Sequence, residues 1–422
     1  MVDFVALTIF GIVSVHVAKT VVAFRQLAKL REKDVPEALK AIVTQEEFDK
    51  SQQYNFDKLS FGILTDHNSI VMTVLTILLS CYFALWTFST KAAEFLGTDN
   101  EIVISLVFFS VVTVIGKVSD IGYSLYSTFV IEERYGFNKT TIDLFIKDLL
   151  KGLAIEAIIQ TIVLSGIVWI MRNAGEQFYL YIWGFLSLVL LVIYFTYHDL
   201  IAPCFNKFTE LEDSNLKDKI FQLAASLNFP LKKIFVIDGS KRSSHSNAYF
   251  FGFGQNKRIV IFDTLLDKAK GISEEEITAI IAHELGHWQH MDSLKGLVLT
   301  EAKMFVIFYA FSLMFNNEAM YTSFGFSQPI PVIGLILFSN ILHPIMFLLS
   351  YVIMWFSRYN EYRADAFAKA HGFGPSLASG LVKLFTGNSG NMNPDPSYSA
   401  LHFSHPTMIE RLAALEASDK SD

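Results

Sequence analysis

The chain has 422 residues, a formal charge of −7 and a pI near 5.9, and it carries no basic stripe with interleaved aromatics, so it excludes nucleic acid as a partner. Hydrophobic residues make up 52% and charged residues 18%, with 39 Phe and a mean hydropathy of +0.38, a balance too apolar for a typical soluble enzyme and suited to a bilayer. The two cysteines, Cys81 and Cys204, provide neither a disulfide framework nor a Cys-based metal site.

Charge-poor runs predict seven membrane spans, at 4–18, 67–90, 102–116, 157–171, 177–198, 304–317 and 319–357. Those at 67–90, 177–198 and 319–357 are long enough outright. The others span if nearby Lys19, Lys117, Glu156, Glu301 or Lys303 is tolerated. The first lacks a basic leader and a cleavage-site pattern, so it reads as a retained anchor. Lys and Arg then alternate along the connecting segments: seven in 25–66, one in 89–101, four in 132–155, one in 172–176, twelve in 199–295 and none in 316–331. This alternation follows the positive-inside rule for seven crossings. It predicts a lumenal N-terminus, with the 199–295 segment and the tail beyond Arg358 in the cytosol. The sequon Asn138-Lys139-Thr140 falls on the cytosolic face and is expected to stay unmodified.

Four regions result: 1–200 with five spans, a soluble insert at 201–295, two further spans in 296–357, and a cytosolic segment at 358–422. The insert holds strand-like runs at 232–240, 247–253 and 257–266. They predict a small sheet, whose edge could hold an extended peptide or could only pack a helix.

That helix is predicted from about Ser273 to His290, opened by a Ser273/Glu276 capping box with acid in its first turn. It carries H-E-x-x-H. His283 and His287, four apart, share a face and can point at one ion. Imidazole nitrogens suit zinc, and a catalytic zinc takes three protein ligands and a water. Glu284 would stand beside that water as general base. The motif also arises by chance, so it needs a third ligand. Glu361, in "SRYNEYRADAFAKAHG", lies 74 residues after His287 on the same predicted side of the membrane. Asp365, one turn on, could accept the second N–H of a zinc-bound imidazole. The alternative is a solvated surface helix. In "FSHPTMIERL", Pro406 suits a first helical position. His405 is then an oxyanion donor or a turn histidine without a role. Arg411 is a salt-bridge partner or an ordinary helix residue.

Together, "FVIEERYGFNKTT", "IAPCFNKF", "SHSNAYFFGF", "KRIVIFDTLL", "HELGHW", "SRYNEYRADAFA" and "FSHP", in this order, closely resemble the type I CAAX prenyl proteases. The resemblance implies a mainly α membrane protein with seven transmembrane helices around a large intramembrane chamber. A gluzincin-like zinc-protease domain, a small β-sheet plus the HExxH helix, would lie on the cytosolic side. It implies one Zn2+ per chain on His283, His287 and Glu361, with Glu284 as base and His405 as the transition-state histidine. Asp365 and Arg411 would support the metal site, and Asn247 and Ala248 would belong to the strand that aligns substrate. The implied reaction removes the C-terminal aaX tripeptide from farnesylated CAAX proteins, with a second upstream cut in a lamin or pheromone precursor. The implied setting is a monomer in the endoplasmic reticulum membrane, and in the inner nuclear membrane. No dilysine-type retention signal stands in "EASDKSD". Charges within spans, at Lys117, Asp120, Glu156 and Glu301, would face the chamber or a partner. Rival readings are a general membrane quality-control metalloprotease, an intramembrane zinc protease, and a transporter or scaffold with a vestigial site. Seven spans argue against the first, the polar ends of the zinc helix against the second, and an intact ligand set with Glu284 against the third.

Overall fold

A computed structural model describes residues 2–252 and 254–417; Phe253, which closes the predicted 247–253 strand, and the terminal residues 418–422 lie outside it. Five helices carry the first half of the membrane region. They are α1 (Phe4–Lys29), α2 (Gln45–Leu78), α4 (Glu101–Tyr126), α5 (Ile142–Asn173) and α6 (Phe178–Thr196), with α3 (Cys81–Phe95) between α2 and α4. Side-chain caps start most of them: Asp3 accepts from Ala6, Thr44 forms a capping box with Glu47, and Asn100 and Thr141 cap α4 and α5. Short α7 (Ala202–Phe205) and α8 (Asn215–Ser226) lead into the insert, followed by α9 (Glu274–Gln289). The chain re-enters the apolar region through α10 (Asp292–Met314), α11 (Glu318–Ser323) and α12 (Pro331–Ala368), and ends in α13 (Gly374–Gly387), α14 (Pro396–His402) and α15 (Met408–Glu416). Among the described residues, seven helical stretches are long and apolar enough to cross a bilayer, the number expected.

Most of the helices run beyond the predicted limits, and two predicted spans are broken. The run 67–90 is not one helix: α2 ends at Leu78, Ser80 takes a left-handed φ of 52°, and α3 restarts at Cys81. The capping box at Thr44 starts α2 well before its apolar part, so polar Gln45–Asp66 continues the helix out of the hydrocarbon slab. In 319–357, the stretch before Pro331 is the short α11 and a loop; Pro331 then opens α12 in its first turn. No glycine or proline interrupts "SRYNEYRADAFA", so α12 runs past 357 to Ala368. Intramembrane charges are partnered where the structure brings helices together. Lys117 Nζ is 3.0 Å from Glu156 across α4 and α5, and Ser187 Oγ is 2.5 Å from Glu301 Oε2. Asp120 is exposed.

The connecting segments sort onto two ends of the bundle. The Lys/Arg-rich ones bind one another: Arg25 to Asp395 (3.0 Å), Arg134 to Asp57 (2.5 Å), Arg242 to Asp148 (2.7 Å), Ser51 to the Gly390 carbonyl (2.6 Å). Asn138 bridges to Ser243 of the insert, so the sequon sits at this same end. At the other end the Lys/Arg-poor segments meet. Arg172 pairs with Glu101 (2.5 Å), and the Phe83 and Phe326 rings stack edge to face at 5.5 Å.

The insert is a four-stranded sheet in the order β1-β2-β4-β3, from β1 (Phe208–Glu210), β2 (Leu231–Ile237), β3 (Ala248–Phe251) and β4 (Lys257–Phe262). β2 and β4 are parallel; β1 and β3 pair antiparallel at the two edges. Ile234, Ile259 and Ile261 are fully buried and share one core with Ile277, Ile281 and Leu285 of α9. Burial of each such side chain contributes about 1.5–3 kcal/mol. β1 was not among the predicted strands, because three residues carry no readable alternation.

Candidate metal centre and active site

The helix α9 is buried over most of its length, from Glu276 to Gly286, because it is enclosed by the sheet, α12 and α13. Its capping box forms as predicted, and buried Glu276 also binds Ser379 (2.6 Å) and Lys383 (2.8 Å), which anchors the helix start on α13. The helix comes close to α12 at Gly286, where an added Cβ would stand 3.0 Å from the Ala364 Cα and 3.2 Å from its carbonyl oxygen. That approach brings Glu361 and Asp365 to the histidines of α9. Gly286→Val is therefore expected to force the helices apart and lower bound metal per folded chain. Metal analysis of the purified variant checks this; wild-type occupancy would show that the contact is not needed.

Three side chains converge on one point. His283 Nε2 lies 3.4 Å from Glu361 Oε2, and His287 Nε2 lies 3.3 Å from Glu361 Oε1. One ligand atom from each of His283, His287 and Glu361 fits within 4.8 Å of the other two. Glu361 Oε2 is buried without a hydrogen-bond partner, which costs free energy unless a cation takes it. Two imidazoles and a carboxylate are a donor set that fits zinc. Carboxylates hold the far nitrogen of both imidazoles. Asp365 Oδ1 is 2.8 Å from His283 Nδ1, and Asp292 Oδ2 is 3.0 Å from His287 Nδ1. Each places a proton on Nδ1 and turns the Nε2 lone pair toward the centre.

Asp292 is a site residue the sequence reading missed as such. It is the first residue of α10, and the chain reaches it through Met291 at φ 54°, a left-handed break that folds the new helix back onto the old one. An acidic residue five positions after the second motif histidine was the available signal. Asp292→Ala is expected to weaken metal binding by roughly 10–100-fold, the usual cost of losing such an orienting partner. Competition against a calibrated chelator measures it.

Arg411 is nearly buried, and its guanidinium forks onto Asp365 at 2.8 and 2.6 Å. It also approaches Glu361 Oε2 at 3.7 Å and so offsets the negative charge that two carboxylates bring together. His405 Nε2 lies 3.3 Å from Glu361 Oε1 while its Nδ1 meets Ser404 Oγ at 2.9 Å. With Ser404 donating to Nδ1, the neutral ring carries its proton on Nε2, facing the centre. Glu284 lies between two cavities: one lined with His283, Asn247, His405 and Arg411, the other with Phe250, His287, Asp292 and Glu361. Burial pushes its carboxyl above the ordinary range, against the pull of the flanking histidines. Asn247 lines the first cavity and turns its side chain back onto the Ala248 N–H (2.8 Å); buried Ala248 begins the edge strand β3. All nine predicted site residues thus lie on the metal cluster, its supports or the adjoining strand.

Residues 25–207 match the family described as CAAX prenyl protease N-terminal, five membrane helices, and residues 210–419 match peptidase family M48. The chain belongs to peptidase family M48. Among M48 relatives, the CAAX prenyl protease 1 homolog of Oryza sativa is 42% identical over 96% of this chain and 95% of its own. CAAX prenyl protease 1 of Saccharomyces cerevisiae is 37% identical over 93% of this chain and 91% of its own. The crystal structure of S. mikatae Ste24p superposes with a TM-score of 0.93 at 35% identity, covering 99% of both chains. This M48 protein is thus a multi-pass membrane metalloprotease, and the join between the two family matches falls at β1.

Proposed function

We propose that this M48 protein is a zinc endopeptidase that removes the C-terminal aaX tripeptide from prenylated CAAX proteins. The observation that carries the reading is the His283–His287–Glu361 cluster opening, beside Glu284, onto a cavity walled by the membrane helices α1 and α2. The printed names of the relatives support the substrate class. Residues 1–200 and 296–357 form the membrane compartment, and 201–295 and 358–422 bring the chemistry to its mouth. One zinc per chain is held by His283, His287 and Glu361. The chain works as a monomer in the endoplasmic reticulum membrane, and in the inner nuclear membrane, with the site toward the cytosol. The Lys/Arg-rich end of the bundle supports that orientation. A second, upstream cut in a lamin or pheromone precursor uses the same centre.

Bound there, zinc supplies Lewis-acid polarisation of the scissile carbonyl and of the attacking water. Glu284 accepts the water proton on its carboxylate and returns it to the leaving amine nitrogen. The outer edge of β3, which pairs with no strand among the described residues, holds the peptide extended by main-chain hydrogen bonds. The Nε2–H of His405 donates to the oxyanion of the tetrahedral adduct, and Arg411 holds Asp365, which fixes His283. His405→Ala is accordingly expected to lower kcat about 10²–10³-fold with a smaller change in KM, as loss of an oxyanion donor does. A change in KM alone would make His405 a positioning group. The reading as a whole is tested with the purified protein and a farnesylated CAAX peptide: hydrolysis at the prenylated cysteine, abolished by a chelator and restored by zinc, is expected. Equal cleavage of the unprenylated peptide would defeat it.

A further inference from the structure

We infer that Lys19, on α1, binds the free C-terminal carboxylate of the substrate in the cut that releases the aaX tripeptide; this rests on the substrate class proposed above. The cavity that reaches Glu284 has a volume of about 790 Å³ and extends to His16, Lys19, Asp66, His67 and His402. Lys19 lies inside a helix long and apolar enough to span the bilayer. Among the described residues it meets no carboxylate within ion-pair distance; its ammonium sits 5.9 Å from the Phe347 ring centroid. Lys19 directly follows the charge-poor run 4–18 and lines a cavity that it shares with Glu284. His16 and His67, whose rings touch edge to face at 4.5 Å, and His402 line the same end of the cavity, as does one acidic residue, Asp66.

One cavity wall runs from Lys19 past His402, at the end of α14, to His405, which reaches the metal cluster. The prenyl chain has a place elsewhere. A second cavity, which touches His287, is walled by Leu190, Tyr194, Phe250, Trp288 and Leu294, with Asp199, Lys257 and Arg258 also in its lining. Thioether and carboxylate would thus occupy separate cavities.

The test uses the full-length protein, with two farnesylated CAAX peptides of one sequence, one ending in a free carboxylate and one in an amide. Wild type should prefer the acid by roughly 10–100-fold in kcat/KM, the range for a hydrogen bond to a charged group. Lys19→Met, with Lys19→Gln as a second neutral replacement, should bring that ratio close to one; Lys19→Arg should keep it. Metal content of each variant verifies folding. A wild-type ratio near one, or a ratio that neutral replacement leaves unchanged, overturns the assignment. Failure of wild type to cut either prenylated peptide overturns the substrate class and this subsite with it.

Discussion

Glu284→Gln should retain its metal and lose turnover by about 10²–10⁴-fold or more, the range that removal of a general base costs. The amide keeps the shape and volume of the side chain between the two cavities, so packing of α9 against the sheet and α12 is not disturbed. What it cannot do is accept a proton. The Glu284 carboxyl is already raised by burial, nearer to the pH at which a base both takes and returns a proton. Metal analysis together with single-turnover cleavage of a prenylated peptide checks the expectation. Turnover near wild type with metal bound would transfer the base role to another residue.

Glu361→Ala should empty the centre. Both histidines would keep their carboxylate partners, Asp365 and Asp292, but the third donor would be gone and the remaining pair would hold zinc far more weakly. Loss of an orienting partner costs about 10–100-fold in affinity, so loss of a ligand should exceed that. The expected result is a folded protein with depleted metal and no measurable cleavage. Full occupancy with normal turnover would remove Glu361 from the ligand set.

The parts of this site that sequence revealed are those encoded at short range. An i, i+4 pair on a capped helix needs only helix geometry, so His283, Glu284 and His287 stand where the motif put them. Glu361 and Asp365 were found by a longer argument, from a shared membrane side and a helical repeat, and α12 bears them on one face. Asp292 was not assigned a role because its position depends on a single left-handed residue, Met291, which no periodicity announces. The same physics hid the break at Ser80 inside an apolar run. Charge counting placed the connecting segments better than hydropathy placed the helix ends, since polar Gln45–Asp66 and Arg358–Ala368 extend helices beyond the apolar stretch. Glu361, which His405 meets, and Asp365, which Arg411 holds, lie more than forty residues from them, beyond what local pattern can pair.

The proposed ligands of the centre come from both sides of a membrane hairpin. His283 and His287 precede α10, and Glu361 follows the apolar length of α12. During synthesis the two histidines leave the ribosome first, and the carboxylate becomes available only after both hairpin helices have been made and inserted. Ion capture is therefore a closing event of biogenesis, and a chain stalled inside the hairpin holds only a two-histidine half-site. Once captured, the ion fastens the ends of a loop that passes through the bilayer and back. At a thousandfold excess over its dissociation constant it adds about 4 kcal/mol to the assembled state. Occupancy of the centre is thus also a record that the last two crossings were completed.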